Sequence, residues 1–192
     1  WREMNAGLPE GADRQILSMA QQNGVFWVGT ANKVYNLLGP GQSWTEKFSS
    51  PGWSIAVNSQ RIYVGCFGFI GRSMDQGREW GYFHSGVRPK KVISLVIVNG
   101  TEALAGTEGG GIIKQICDDT NALCWREANT GIKDARVLAL TTNGDKIFAG
   151  TGGGGVFRAW RGCEGDSAGP SLAGSAAGHR SSERAVCRRI AG

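Results

Sequence analysis

The feature that most restricts the fold of this chain is internal repetition. Trp1, Trp44, Trp80 and Trp125 are spaced by 43, 36 and 45 residues. A second marker, Gly29-Thr30, Gly65-Cys66, Gly106-Thr107 and Gly150-Thr151, recurs at 36, 41 and 44. A third, Asn23-Gly24, Asn58-Ser59, Asn99-Gly100 and Asn143-Gly144, runs in phase with it. Repeats of this length point to a solenoid or a ring of similar units. Asn-Gly between two apolar alternating runs predicts a hairpin, because a type I′ turn needs φ > 0 at both central residues.

The first unit reads as four short strands over 16–20, 25–29, 33–38 and 44–48. The second covers 54–57, 61–65, 69–74 and 80–84, and the third 92–98, 102–106, 111–116 and 125–128. The fourth supplies 137–142, 146–150 and 155–160 but no outer strand. Thirty-one glycines against five prolines suit an all-β, turn-rich domain.

Between the third and fourth strands of the second unit lies Ser73-Met74-Asp75-Gln76-Gly77-Arg78-Glu79-Trp80. Asp75 can accept hydrogen bonds from backbone N–H groups just ahead of it, Gly77 can take φ > 0, and Ser73 can add a further bond. Trp80 offers a large ring to pack between sheets. This Ser-x-Asp-x-Gly-x-x-Trp spacing resembles the Asp-box of sialidase-like (BNR-repeat) β-propellers, including photosystem II assembly factor-like propellers. The resemblance covers roughly residues 1–160. It departs from the pattern at Gly39, which stands where the first unit's Asp belongs, and at an insertion before Trp125.

The resemblance implies an all-β propeller of four-stranded antiparallel blades, about four in this chain. Trp1-Arg2-Glu3-Met4 matches Trp125-Arg126-Glu127-Ala128 and could complete the last blade, since propellers often close their ring this way. The other reading is part of a larger ring, and it is preferred because Asp-box propellers usually have six or more blades. Residues 161–192 are rich in Gly, Ala, Ser and Arg, a composition expected to stay disordered or to be a non-native end. Their Gly165-Asp166-Ser167-Ala168-Gly169-Pro170 resembles the nucleophile loop of trypsin-like proteases. His84 is the sole upstream histidine and lacks the surroundings of a general base, so the likeness is treated as coincidence.

Topology sorts the candidate site. In a meander, the Asn-Gly turns and the Asp-box share one face, so Ser73, Asp75, Gly77 and Trp80 are expected to be structural. The second-to-third loops and the interblade linkers build the opposite face, where propeller ligands usually bind. Arg14, Trp53, Arg88, Lys91 and Arg136 fall there as ligand-binding candidates. The resemblance to sialidases makes Arg14, Arg88 and Arg136 a possible carboxylate clamp, a task that suits the guanidinium fork. No Phe-Arg-Ile-Pro-like motif or Tyr–Glu nucleophile pair accompanies them. A glycosidase of another kind would need two facing carboxyls, for which Asp13, Glu108 and Asp134 lie in suitable loops.

The expected function is a non-catalytic scaffold presenting its interblade loops to a protein or glycan. The alternative is a glycoside hydrolase of sialidase or xyloglucanase type. Oligomerisation, or completion of a larger ring, is compatible with either. The net charge of +5 lacks the basic clusters and exposed aromatics of a nucleic-acid binder. No run approaches the ~18 apolar residues of a membrane helix. No cofactor and no metal are expected: none of the five cysteines forms a Cys-x-x-Cys pair. Asp118, Asp119 and Asn121 are too few ligands for calcium. Cys117 and Cys124 flank a short loop and are candidates for a disulfide in an oxidising compartment, or for two reduced thiols in a cytosolic one. An extracellular or periplasmic setting is slightly preferred. The opening on Trp1 suggests a mature product, an excised domain or a fragment.

Overall fold

The structure is a computed structural model that describes residues 1–84, 90–98, 100–116, 125–144 and 146–160. It is a β-propeller arrangement of antiparallel meanders. The first blade is β1 (Ile16–Gln22), β2 (Val25–Thr30), β3 (Val34–Leu37) and β4 (Thr45–Phe48). The second is β5 (Ser54–Val57), β6 (Ile62–Gly65), β7 (Ile70–Ser73) and β8 (Gly81–Phe83). The third is β9 (Val92–Val98), β10 (Glu102–Thr107), β11 (Gly111–Gln115) and β12 (Trp125–Glu127). The fourth is three-stranded, with β13 (Val137–Asn143), β14 (Lys146–Thr151) and β15 (Val156–Trp160). Among the described residues no helix is long and apolar enough to cross a membrane.

Local chemistry explains the repeat markers. Asn23 and Gly24 take φ of 50° and 79° between the paired residues Gln22 and Val25, the mirror-image turn that matches strand twist. In the second blade, Asn58 Oδ1 accepts from the N–H groups of Gln60 and Arg61, at 2.9 and 2.8 Å, and makes a longer turn instead. The Thr of each Gly-Thr closes the loop from second to third strand. Gly110 N–H donates to Thr107 Oγ1 at 2.9 Å, and Gly154 N–H to Thr151 Oγ1 at 3.0 Å. In the second blade Cys66 takes the Thr position as a buried apolar filler, and burial pushes its thiol pKa up to about 12.

The glycine of the first three markers is required by a close approach from the next blade. A side chain at Gly29 would run into the carbonyl of Gly52, and one at Gly65 into that of Val92. At Gly106 it would meet Val137 Cγ1. Inner-strand serines secure the same contacts. Ser18 Oγ donates to Gly52 O at 2.8 Å and Ser54 Oγ to Val92 O at 2.9 Å, while Ser94 Oγ accepts from Leu140 N–H at 2.7 Å.

The core therefore lies between blades. Trp27, Val34 and Phe48 meet Ile55, Ile62 and Val64 between the first and second. Tyr63, Ile70 and Phe83 meet Ala105, Ile113 and Trp125 between the second and third. Leu104 and Ile112 meet Val137 and Ala149 between the third and fourth. Here β1 packs on β5, β5 on β9 and β9 on β13, and among the described residues no packing of comparable extent joins β13 to β1.

The N-terminal segment lies beside the first blade. Trp1–Met4 forms no strand and does not pair with β15. The Met4 carbonyl accepts from Trp44 Nε1 at 2.7 Å and the Ala6 carbonyl from Trp44 N–H at 2.8 Å. Leu8 is buried against Val28, Tyr35 and Trp44 on the outer face of the first blade. Apolar burial of Leu8 holds the segment beside the first blade, away from the fourth.

Candidate functional site

The Asp75 turn is a closed hydrogen-bonded unit. Ser73 Oγ donates to Asp75 Oδ1 at 2.8 Å and accepts from Gly77 N–H at 2.8 Å. Asp75 takes the N–H groups of Arg78 and Glu79, at 3.0 and 2.9 Å, three and four residues on. Gly77, at φ +82°, lies against the Trp27 ring of the preceding blade, where a Cβ would approach Cη2 to 2.8 Å. The Glu79 N–H, then Ser73, hold the Asp75 carboxyl below its ordinary range. Trp80 precedes β8, with its ring 4.5 Å from that of Phe48. Every acceptor of Asp75 that the turn needs is used within the turn.

On the opposite face the interblade linkers meet. Lys91 Nζ sits 4.2 Å from the centroid of the Trp53 ring, within cation–π range. It also lies 3.9 Å from Glu108 Oε2, while Arg136 Nη2 lies 3.8 Å from Glu108 Oε1. Backbone bridges Phe67↔Lys91 and Glu108↔Arg136 hold the linkers in register. The result is a line of side chains from Trp53 through Lys91 and Glu108 to Arg136, drawn from three linkers and one loop. Such exposed pairs contribute little to stability, so the arrangement shapes a surface more than it supports the fold. Lys90 Nζ approaches the same loop at Gly109, and Phe67 lies 58% exposed beside Lys91.

Asp13 and Arg14 lie apart from this line, and Asp134 sits beside Arg136 on backbone donors. Asp13 is buried, with Oδ1 2.8 Å from Thr30 Oγ1. Burial, with the negative charge of Asp13 next, pushes the Tyr35 phenol up to about 12. Asp134 accepts from Gly153 N–H at 2.6 Å, from Gly154 N–H at 3.1 Å and from Arg136 N–H at 2.9 Å. These backbone donors, that of Arg136 foremost, lower its pKa. Arg14 forms an i,i+4 ion pair with Glu10 at 3.7 Å on a short 3-10 helix, Gly11–Arg14. Arg88, Cys117, Cys124, Asp118, Asp119 and Asn121 lie outside the described residues, as do residues 161–192. Among the described residues there is no group of three or more His, Cys, Asp or Glu side chains able to hold a metal ion.

Two features escaped the sequence reading. Phe67 follows the Gly-Cys marker directly, in a slot where the other units carry Ala31, Glu108 and Gly152, and that contrast was the available signal. A cavity of about 340 Å³ lies at the Asn-Gly turn end of the inner strands, lined by Ala20, Ile55, Val57, Leu95 and Ile97. Nothing in local sequence marks it, because it forms only where three blades converge.

No family model matches the chain, and no curated protein matches it. Solved structures do. The chain is similar to the computationally designed Ika4 protein at a TM-score of 0.65 and 14% identity, over 84% of this chain and 99% of that one. It is similar to YCF48 from Cyanidioschyzon merolae at 0.57 and 14%, over 76% of this chain and 50% of that one. It is similar to the RRP9 WD40 repeats at 0.57 and 10%, over 71% and 46%. At such identities the likeness shows the fold alone. The chain spans about half the length of the latter two.

Proposed function

We propose that the protein is a non-catalytic scaffold of the Asp-box propeller class whose linker face docks a partner protein. The observation that carries this reading is the Trp53–Lys91–Glu108–Arg136 line, which joins separate blades into one half-buried aromatic and charged strip. Aromatic residues and arginine dominate the energetics of protein docking. Lys90, Lys91 and Arg136 outnumber Glu108, which favours an acidic partner segment. The carboxylates that a hydrolase would need are otherwise engaged: Asp13 beside Thr30, Asp134 on backbone donors, and Glu108 between two cations. The class assignment rests on the Ser73–Trp80 turn.

Acidic and neutral peptide arrays provide the test. Acidic peptides are expected to bind, and the double substitution Trp53→Ala with Lys91→Glu to weaken them at least tenfold without changing the fold. Turnover of fluorogenic sialosides or xyloglucan oligosaccharides, abolished by Glu108→Ala or Asp134→Ala, would replace the scaffold reading with the hydrolase one.

A further inference from the structure

Among the described residues, the first and fourth blades carry matching halves of an interblade contact. By strand register, Gly106 and Ile112 of the third blade correspond to Gly150 and Val156 of the fourth. Val34, Ile70 and Ile112 are buried against the following blade, but Val156 is 75% exposed. Gly150 retains the glycine that admits a neighbour, yet a Cβ there would meet only Ala139 Cβ, at 3.8 Å. Gly111 is covered by Asn129, whereas its counterpart Gly155 has nothing within 4 Å. These positions form a socket built to the repeat's pattern.

The matching plug is at the other end. Trp1-Arg2-Glu3-Met4-Asn5-Ala6-Gly7-Leu8 is identical to Trp125–Ile132 at Trp, Arg, Glu, Asn and Gly. The two segments also share a turn: Leu8 N–H donates to Asn5 O and Ile132 N–H to Asn129 O, both at 2.9 Å. In the third blade this sequence is the outer strand β12 and the turn after it. Trp125 is buried edge-on to Tyr63, Ala128 N–H donates to Ile112 O at 2.8 Å, and Asn129 Oδ1 accepts from Ile112 N–H at 2.7 Å. Trp1 is instead fully exposed. Ile16 corresponds to Val92 and Val137, which are buried over Gly65 and Gly106, yet Ile16 is 40% exposed.

We propose that a second copy of this chain docks its N-terminal segment on the fourth blade. Trp1–Met4 of that copy pairs with β15 as the missing outer strand, Asn5 binds the Val156 backbone, and Ile16 covers Gly150. The segment is fixed to its own first blade through Leu8, so it reaches a β15 only where a fourth blade stands beside that first blade. Each copy has one plug and one socket, and such a head-to-tail contact satisfies every end only by closing. Two copies are the smallest closed set, an eight-bladed ring with no open edge at β15.

The test is mass in solution by light scattering at roughly 50 µM, because assembly follows mass action. The wild-type chain is expected at twice the protomer's 20.4 kDa. Gly150→Val has room within the protomer but blocks Ile16, and Trp1→Ser removes the strand's anchor. Each is expected to weaken assembly at least tenfold with unchanged circular dichroism. Register places Arg2 opposite Arg158, as Arg126 is opposite Lys114. An equimolar mixture of Arg2→Cys and Arg158→Cys chains is therefore expected to give an interchain disulfide located by peptide mapping. A monomer at this concentration would overturn the proposal, as would a dimer indifferent to Gly150→Val and lacking the cross-link. A monomer whose β15 amides exchange as slowly as those of β11 would do so too, by showing the socket covered within the chain.

Discussion

The second and fourth blades share one pattern and end up in different environments. Both set an apolar residue two places before the marker glycine, Tyr63 and Phe148, and another at the start of the third strand, Ile70 and Val156. In the second blade Tyr63 and Ile70 are fully buried under the third, and Tyr63 Oη donates to Gln115 Oε1 at 2.6 Å. In the fourth, Phe148 is half-buried and Val156 lies open. The lesson is that a blade has no core of its own. The second and third blades each contribute half of two cores, and burial of a residue depends on which blade stands next to it.

The sharpest way to test that contrast is truncation at equivalent positions. Ile70→Ala is expected to cost about 2–5 kcal/mol, as for other buried aliphatic deletions. Val156→Ala should stay within about 0.5 kcal/mol in protein dilute enough to be monomeric. Urea unfolding of both variants decides it, and equal losses would mean that the fourth blade is as enclosed as the second. A somewhat smaller effect is expected from adding a side chain. Gly65→Val should cost about 1–3 kcal/mol through overpacking against Val92, while Gly150→Val should be nearly neutral in the same monomeric protein. Thermal melts of the two would separate them.

The smallest effect concerns the Asp75 turn of the second blade. Because Asp75 has a folded pKa below its ordinary 3.8, its contribution is present above that value and is lost as pH falls through the folded pKa. Asp75→Asn should therefore lower the unfolding midpoint at neutral pH. The gap from wild type should narrow below about pH 4, near the unfolded carboxylate value. A gap that stayed constant down to pH 2 would place the role of Asp75 outside its ionised hydrogen bonds.

Much of this architecture could be read in the chain because its repeat markers do local work. Gly-Thr recurs because the hydroxyl closes the following loop, a short-range requirement, and because the glycine admits the next blade, a requirement that returns with each blade; both leave a periodic trace. The same holds for Ser73–Trp80, whose bonds lie within the turn. The linker face was legible only as a set of loops. That Trp53, Lys91, Glu108 and Arg136 form one line, while Asp13 turns inward to Thr30, depends on how blades pack, and no local spacing encodes that.

The N-terminal segment marks the boundary most clearly. Its likeness to Trp125–Ala128 identified it as outer-strand sequence, since strand and turn chemistry act over a few residues. Where such a strand goes depends on which edge lies within reach, and Leu8 buried on the first blade holds Trp1–Met4 away from β15. Sequence determined the unit, its strands and its turns, because these are set by neighbours along the chain. Tertiary structure decided which faces are covered and which charges meet, because these are set by neighbours in space.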